Sequence, residues 1–430
     1  MTEIVARLSR KLDEQANVVR GWEQRYNGEV PLTFLSVKDR QALGDRLKYL
    51  NVNLSRLAVD ALAERIRVVG FKVNGQHDAD LWERWQSLGM EEGSGQAVTD
   101  ALMCGRGFVS VWANEDGPMA TPEAAAQCII ERDPVTREGI AGLKRWTEDG
   151  KGWSVLYEPW QVTTYKSLAG VPEGGMIPAD GWTQVDSRPS PLGVLTLHQV
   201  TNRGRVSEAY GVSDMAQIAD LNDALVKTLV DALVTSEAYA RPKRWATGLA
   251  IVEDADGNPQ DPFTESMKLW QAEQPDTKFG DFAQADLGGY GTLVGILLNQ
   301  ISALSGLPSH YLSMSSQPIS GEETKARETS LVSRAEAKIR SVRQPFADIA
   351  RQMVAIRDGV PVRSVRVEPL FADPATRTQA QDADAATKLH AEGLLSVEAT
   401  LQRIGMSPDE ISDDKTARLA EAALRMAANL

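Results

Sequence analysis

Few residues in this chain are spaced to do chemistry. The most suggestive grouping is the glycine run Gly289-Tyr290-Gly291-Thr292-Leu293-Val294-Gly295, which fits a relaxed dinucleotide-binding spacing. That chemistry needs a buried parallel strand just before the glycines, so that the helix after them meets the pyrophosphate with its N-terminus. The preceding Asp281-Phe282-Ala283-Gln284-Ala285-Asp286 is not such a strand. Nor does an acidic residue stand about 20 positions further on to hold the ribose. Glycines that let a loop turn into a helix are the better account.

Other groupings carry less. His77, His198, His310 and His390 are scattered, with no H-E-x-x-H and no His/Cys cluster, so no metal is expected. Neither G-x-x-x-x-G-K-[ST] nor G-x-S-x-G occurs. Glu91-Glu92 and Glu322-Glu323 could pair as acid and base, but helix starts and solvated surface explain such pairs better. Trp82, Trp85, Trp112, Trp146 and Trp153 lack interleaved basic residues and are expected as core and interface fillers rather than a stacking platform. Cys104 and Cys128 form no Cys-x-x-Cys pair; free buried thiols in a reducing compartment are expected, with one disulfide as the alternative. The chemistry therefore predicts neither an enzyme nor a cofactor.

What must position anything here is the stretch Leu287 to Gly321, which contains no Asp, Glu, Lys or Arg. Its length would suit a membrane span of about 20 residues. Asn299, Gln300, Ser302 and Ser305 interrupt it, Gly306-Leu307-Pro308 ends it early, and its neighbours Asp286 and Glu322-Glu323 supply no basic flank. A helix over about Tyr290 to Ser305, buried inside a larger assembly, remains, with Gly288, Gly289 and Gly291 as its hinge.

Composition agrees with an assembly of globular parts. A chain of 430 residues suggests two or more sub-domains, and 42% hydrophobic with 24% charged residues describes an ordinary folded protein. The formal net charge of −13 argues against a surface that grips nucleic acid throughout. The N-terminus lacks the apolar core of a signal peptide.

Along the chain, Ile4, Val5, Leu8, Leu12, Ala16 and Val19 predict an amphipathic helix ending near Gly21. A second helix is expected from about Arg46 to Val68, then a strand and turn at Gly70 to Gly75, and short helices over Asp80 to Leu88 and Ser94 to Met103. From Gly105 to Val200 the period becomes that of strands, at 108–112, 128–131, 140–146, 153–157 and 161–165, with Ser167 to Pro191 as an exposed loop. This is an α+β portion. Met215, Ile218, Leu221, Leu225, Leu229, Ala232 and Leu233 then form one helical stripe, capped by Ser213 or Asp214. A strand over Arg244 to Val252 follows, then a short helix over Pro262 to Gln274 and a loop over Pro275 to Leu287. Glu322 to Ile356 is the longest helix, carrying Val332, Ala335, Ile339, Val342, Phe346, Ile349, Met353 and Ile356 on one face and Pro345 as a kink. The tail is helical again over Asp382 to Glu392, Ser396 to Ile404, and from Asp414 on.

The order of these segments resembles the phage portal family, in particular the portals of long-tailed actinobacteriophages. The likeness is carried by Tyr26-Asn27-Gly28-Glu29-Val30-Pro31-Leu32 after an N-terminal helix and by Asn53 through Phe71. It continues in Ala101 through Trp112, Arg132-Asp133-Pro134 through Trp146, and Tyr210-Gly211-Val212-Ser213-Asp214 leading into a long helix that ends at Arg241-Pro242. Each motif is weak alone; their order over nearly the whole chain is specific.

The resemblance implies a mainly helical α+β subunit of a homo-oligomeric ring, of twelve copies in virions, at one capsid vertex. Double-stranded DNA would pass along its axis in packaging and ejection. It implies a wing (1–210), a stem helix (211–240; Asp220, Asp223, Lys227, Asp231), a clip (241–261; Lys243, Arg244, Trp245, Asp254, Asp256) and a second stem helix (262–274). It further implies a tunnel loop facing DNA (275–287; Lys278, Phe279, Asp281, Gln284, Asp286), a central wing helix (288–320) and a helical crown (321–430; Arg334, Lys338, Arg340, Arg343). The implied partners are terminase large subunit, head–tail adaptor, major capsid and scaffolding proteins, with no membrane and no cofactor. The implied location is the virion, with the host cytoplasm during assembly. An acidic conduit suits that role, since each neutralised phosphate adds affinity and drag. Long one-faced stripes suit it too, because they need partners on neighbouring copies.

Overall fold

In a computed structural model the described residues are 2–30, 52–172, 175–202, 205–240, 244–248, 276–281, 287–312, 321–375, 379–404, 406, 411 and 413–420. Helix α1 spans Thr2–Asn27 and buries Val5, Leu8, Leu12 and Val19. It continues past Gly21, where an end was expected, because the rest of the face still finds partners; Gly28, at φ 76°, stops it. Helix α2, Leu54–Ala63, is capped by the Asn53 side chain, which accepts from Arg56 N. Its expected start at Arg46 lies outside the described residues. It stops before Val68 because Val68–Val73 is strand β1, paired with the two-residue β2, Gln76–His77, on one side. Helices α3 (Ala79–Ser87) and α4 (Met90–Cys104) follow.

Strands β3 (Arg106–Asn114), β4 (Gly117–Glu123) and β10 (Leu197–Thr201) form a sheet in the order β10-β3-β4. Between β4 and β10 runs a five-stranded meander: β5 (Cys128–Arg132), β6 (Gly139–Glu148), β7 (Lys151–Glu158), β8 (Gln161–Gly170) and β9 (Trp182–Pro189). The stretch Ser167 to Pro191, expected as a loop, is largely strand, with Ser167 opposite Trp182 and Gln161 opposite Pro189. Strand β9 lies at the edge and is mostly exposed, so it shows no alternation that the sequence could betray.

The meander is covered on one face by α1, through Leu8 and Leu12 against Ile129, Leu143, Leu156 and Tyr165. Buried Arg145 on β6 reaches Asp13 of α1, and Glu131 accepts from Arg7 and Lys11, each at 2.6 Å. The other face packs on the β10-β3-β4 sheet through Phe108, Cys128, Ile130, Tyr157 and Leu197. Both cysteines are free and buried, and burial pushes both thiols up.

After a short 3₁₀ turn (Asp214–Gln217) come α5 (Ala219–Ala240) and the two-stranded ladder β11 (Arg244–Thr247) with β12 (Lys278–Asp281). Then follow α6 (Gly288–Ser305), the single turn α7 (Ser309–Leu312) and α8 (Gly321–Asp358). Residues 278–281 are therefore strand rather than loop. The strand expected over Arg244 to Val252 is described only as far as Thr247, and the helix expected over 262–274 lies outside the described residues. Helix α8 runs through Pro345 and buries Leu331, Ala335, Ile339, Val342, Phe346, Ile349 and Met353, close to the predicted stripe. Its residues join α2, α3, α4 and β3 in the largest core, where Trp85 stands edge-on to Phe71 (5.0 Å) and Phe346 (6.3 Å). Such aromatic contacts add about 0.5–1.5 kcal/mol each beyond the area buried. Strand β13 (Val367–Phe371) closes the sheet on β1, and its Pro369 is tolerated because β13 is an edge. Helices α9 (Gln379–Ala391) and α10 (Val397–Ile404) follow, and residues 413–420 are helical again, as expected from Asp414 on.

Candidate functional site

The uncharged helix α6 packs along α5, and the two flank the β11–β12 ladder. The Thr235 and Tyr290 hydroxyls meet at 3.1 Å, so the late part of α5 lies beside the start of α6. The pair forms an antiparallel helical hairpin closed by a strand ladder. The pair is thinly covered along its length. Leu233 and Val234 on α5 are 46% and 37% exposed, and Leu293, Ile296 and Leu304 on α6 are 44%, 53% and 41% exposed. In α6 only Ile301 and Ser305 are buried. An uncharged helix that leaves leucine and isoleucine in water needs a further partner.

The root of the hairpin is fixed by backbone contact. Gly211 has φ 75°, and a Cβ there would stand 1.9 Å from the Gly105 carbonyl oxygen. A Cβ on Gly107 would fall 2.0 Å from the Ala97 oxygen. At these positions only glycine lets the backbone segments approach. Asn202, 3% exposed, uses every polar group at the same crossing. Its N–H donates to Gly105 O (2.9 Å), its carbonyl accepts from Val212 N (3.0 Å), and its Nδ2 donates to Val212 O (2.7 Å). Lys338 Nζ donates to its Oδ1 (2.6 Å) and to Asp214 (2.7 Å). Ser213, one of the two predicted caps, accepts from Met215 N at 3.1 Å, which leaves Asp214 for Lys338.

Two other helices then hold the first turns of α5, one through a side chain and one through its backbone. Arg25 of α1 makes a two-pronged pair with Asp223 at 2.6 and 2.9 Å. Asn222 accepts from Leu54 N of α2 at 3.0 Å. At the other end of the hairpin's second helix, Gly306 closes α6 in the left-handed conformation, and Arg334 of α8 donates to Leu304 O at 2.6 Å. A cation on the terminal carbonyls suits the helix dipole.

The predicted site residues thus scatter among several roles. Of the helix set, Asp220 is exposed, Asp223 is tied to α1, and Lys227 pairs with Asp231 one turn on. Of the basic set on α8, Arg334 caps α6, Lys338 binds Asn202 and Asp214, Arg343 meets Glu368 at 3.3 Å and lies over Phe371, and Arg340 is exposed. Lys278, Phe279 and Trp245 lie on the β11–β12 ladder, where Trp245 faces Gly280 and both aromatic residues are 38% exposed. Arg244 and Asp281 are paired in that ladder. Lys243, Asp254, Asp256, Gln284 and Asp286 lie outside the described residues. Gly288, Gly289 and Gly291 occupy the first turn of α6 rather than a preceding loop. Every strand pairing among the described residues is antiparallel, that of β12 included, so none of the described strands supplies the parallel strand that a dinucleotide turn requires. No helix among the described residues is long and apolar enough to cross a membrane. Sequence reasoning missed Asn202 altogether; Gly105, Gly107 and Gly211 were the available signal.

Comparison with known proteins gives concordant results. The profile of the family described as phage portal protein, SPP1 Gp6-like, matches residues 6–428. The portal protein of Mycobacterium phage L5 is 29% identical over 371 residues, covering 83% of this chain and 76% of the relative. That of Mycobacterium phage D29 is 27% identical over 371 residues, covering 80% and 73%. Among solved structures, a chain from the neck of an empty GTA particle computed with C6 symmetry has a TM-score of 0.46 at 12% identity, covering 88% of this chain and 95% of that one. A chain from the virion of a native gene transfer agent particle has a TM-score of 0.43 at 12% identity, covering 82% and 89%.

Proposed function

The chain belongs to the SPP1 Gp6-like family of phage portal proteins, and from that premise we propose that it assembles as a ring at one capsid vertex. Double-stranded DNA passes along the axis of that ring during packaging and ejection. The observation that carries this reading is the α5–α6 hairpin. It is anchored at its root by Asn202, Arg25 and Lys338 and exposes Leu293, Ile296 and Leu304 along an uncharged helix. Twelve copies side by side would cover those residues with neighbouring hairpins, in a closed heterologous ring. The net charge of −13 per copy, repeated around an axis, keeps a duplex centred and weakly held.

On this reading the wing comprises α1 to β10 with α8 and β13, and the stem comprises α5 and α6. The second stem helix is then α6, the helix packed on α5, rather than residues 262–274. The clip is the segment between Ala240 and Gly288, built on the β11–β12 ladder. Lys278 and Phe279 become clip residues beside Trp245, and their exposed side chains form a docking surface for terminase and the head–tail adaptor. Asp220, exposed on α5, faces the channel. Helices α9 and α10 begin the crown. Major capsid and scaffolding proteins meet the wing, and the ring assembles in the host cytoplasm before entering the virion. The role is structural and needs no catalytic group.

Negative-stain imaging of the purified chain tests the proposal. Rings with a central hole are expected; a compact small oligomer that binds a nucleotide would overturn it.

A further inference from the structure

A cleft of about 920 Å³ opens between β10, the end of β5 with the turn into β6, and the middle of α8. That volume lies at the upper end of the range of ligand pockets, about 300–1,000 Å³. Leu197, His198 and Gln199 all line it. Successive residues of a strand point to opposite faces, so a cavity bounded by all three runs along the strand's edge. One edge of β10 is paired with β3, and among the described residues no strand pairs with the other. The cleft therefore follows an unpaired strand edge.

Its charge is opposite to that of the chain. Arg132, Arg137, Arg351, Arg363 and Arg366 line it against only Glu138 and Asp348, a local excess of three positive charges on a protein of net −13. Arg351 is held by Asp348 at 2.6 Å, whereas Arg137, Arg363 and Arg366 are exposed and form no ion pair among the described residues.

The floor is polar and enclosed. Gln352 is 3% exposed and donates from Nε2 to the Leu195 carbonyl at 2.8 Å. Its Oε1 and the Nε2 of His198 are shut off from solvent without a hydrogen bond of ordinary geometry. Burial holds the His198 imidazole below its usual range, with the nearby Gln352 amide partly countering, so the ring is neutral at pH 7.

We infer that this cleft binds an extended acidic segment of a partner protein, which adds to the free edge of β10 as a strand while the rim arginines hold its carboxylates. Strand addition supplies main-chain hydrogen bonds, and guanidinium groups match carboxylates in geometry as well as charge. The half-buried apolar part of the lining, Pro159, Val194 and Leu195, takes the alternate side chains of such a strand. A DNA duplex would bring its phosphates only to the rim arginines and would leave the apolar wall and the polar floor unused. This site does not depend on the conduit reading.

The test uses the full-length chain and a fluorescein-labelled octapeptide of alternating glutamate and valine, followed by fluorescence anisotropy. Saturable binding that weakens with salt is expected. It should fall by about tenfold or more in the double variant Arg363→Glu, Arg366→Glu, whose exposed side chains leave the melting temperature unchanged. Two further peptides carry N-methyl groups on alternate amides, one on each strand edge, and one of the two should lose about tenfold in affinity. The inference is overturned if both methylated peptides bind as tightly as the parent, or if a lysine–valine octapeptide binds equally well. It is also overturned if a 20-base-pair duplex displaces the peptide with the same dependence on Arg363 and Arg366. Binding to the monomer but not to assembled rings would assign the cleft to a neighbouring copy and overturn it as well.

Discussion

Lys338 Nζ stands 2.7 Å from Asp214 Oδ1 across 124 residues of sequence, and so joins the middle of α8 to the turn that launches α5. Each side chain is about one-fifth exposed, at 21% and 22%, so solvent offers little substitute if one partner is lost. The pair belongs to the link between structural root and projecting hairpin.

Replacing Lys338 with methionine keeps the stem of the side chain and removes its charge. It leaves Asp214 and the Asn202 oxygen without their donor, and the expected loss is about 1–3 kcal/mol of stability. Thermal unfolding measures that loss, and hydrogen exchange should show faster opening in residues 214–223 than in the meander. Unchanged exchange there would remove Lys338 from the mount.

The exposed face of α6 makes a separate prediction. The double variant Leu293→Glu, Ile296→Glu places charge on side chains about half exposed in the single chain, so the monomer should lose no more than about 1 kcal/mol of stability. Assembly should fail, because the charges would be buried against the neighbouring hairpin. Sedimentation velocity distinguishes the outcomes; rings of normal size would show that this face is not the contact.

The glycines at the start of α6 can be examined by stiffening. Nothing lies within 4 Å of where a Cβ would stand on Gly289 or Gly291, so alanine meets no obstacle at either. Each substitution should stabilise the helix by about 0.5–1 kcal/mol. As a hinge they must be able to open, and the double variant should then package less DNA into particles. Normal packaging by a measurably stabilised variant would end the hinge reading.

Asp100 gives a pH signature. Burial is the main cause that pushes its carboxyl up to about 6, with the Ala125 N–H hydrogen bond opposing and the charge of Glu23 adding to the rise. Its unfolded value is near 3.9, so between about pH 4 and 6 the folded state holds more proton than the unfolded one, and stability falls as pH rises through that window. Above it the cost is constant. Asp100→Asn keeps an oxygen for Ala125 N and removes the charge, so it should stabilise the protein by about 1–3 kcal/mol at pH 7.5, with the gain vanishing below pH 4. Melting temperatures at pH 3.5, 5 and 7.5 check it; a pH-independent gain would show a packing effect instead.

What the sequence made legible follows from periodicity. The stripe from Leu331 to Met353 buries one face, so its apolar residues recur at helical spacing, while strands such as β5 are buried on both faces and read as short apolar runs, Cys128-Ile129-Ile130. Strand β9 escaped because it is an edge with nearly every residue exposed, and β13 because Pro369 speaks against a strand unless that strand is an edge. Residues 262–274 lie outside the described residues, and among those described the helix packed on α5 is α6, whose uncharged run reads as a span to be buried rather than as one half of a hairpin. Asn202 announces itself only indirectly, through the glycines that crowd around it. A single asparagine has no period, and its four hydrogen bonds exist only after Gly105, Val212 and Lys338 have come together.

The glycine crossing at Gly105 and Gly211 has a mechanical meaning. Peptide groups press on peptide groups there with no side chain between them, so the joint has nothing compressible in it. Helix α5, at 22 residues and 1.5 Å per residue, is a lever roughly 33 Å long fixed to that joint. Torque applied at its tip is delivered whole to the sheet behind Gly107, and whatever yields under load must be the helices themselves or the seams between copies.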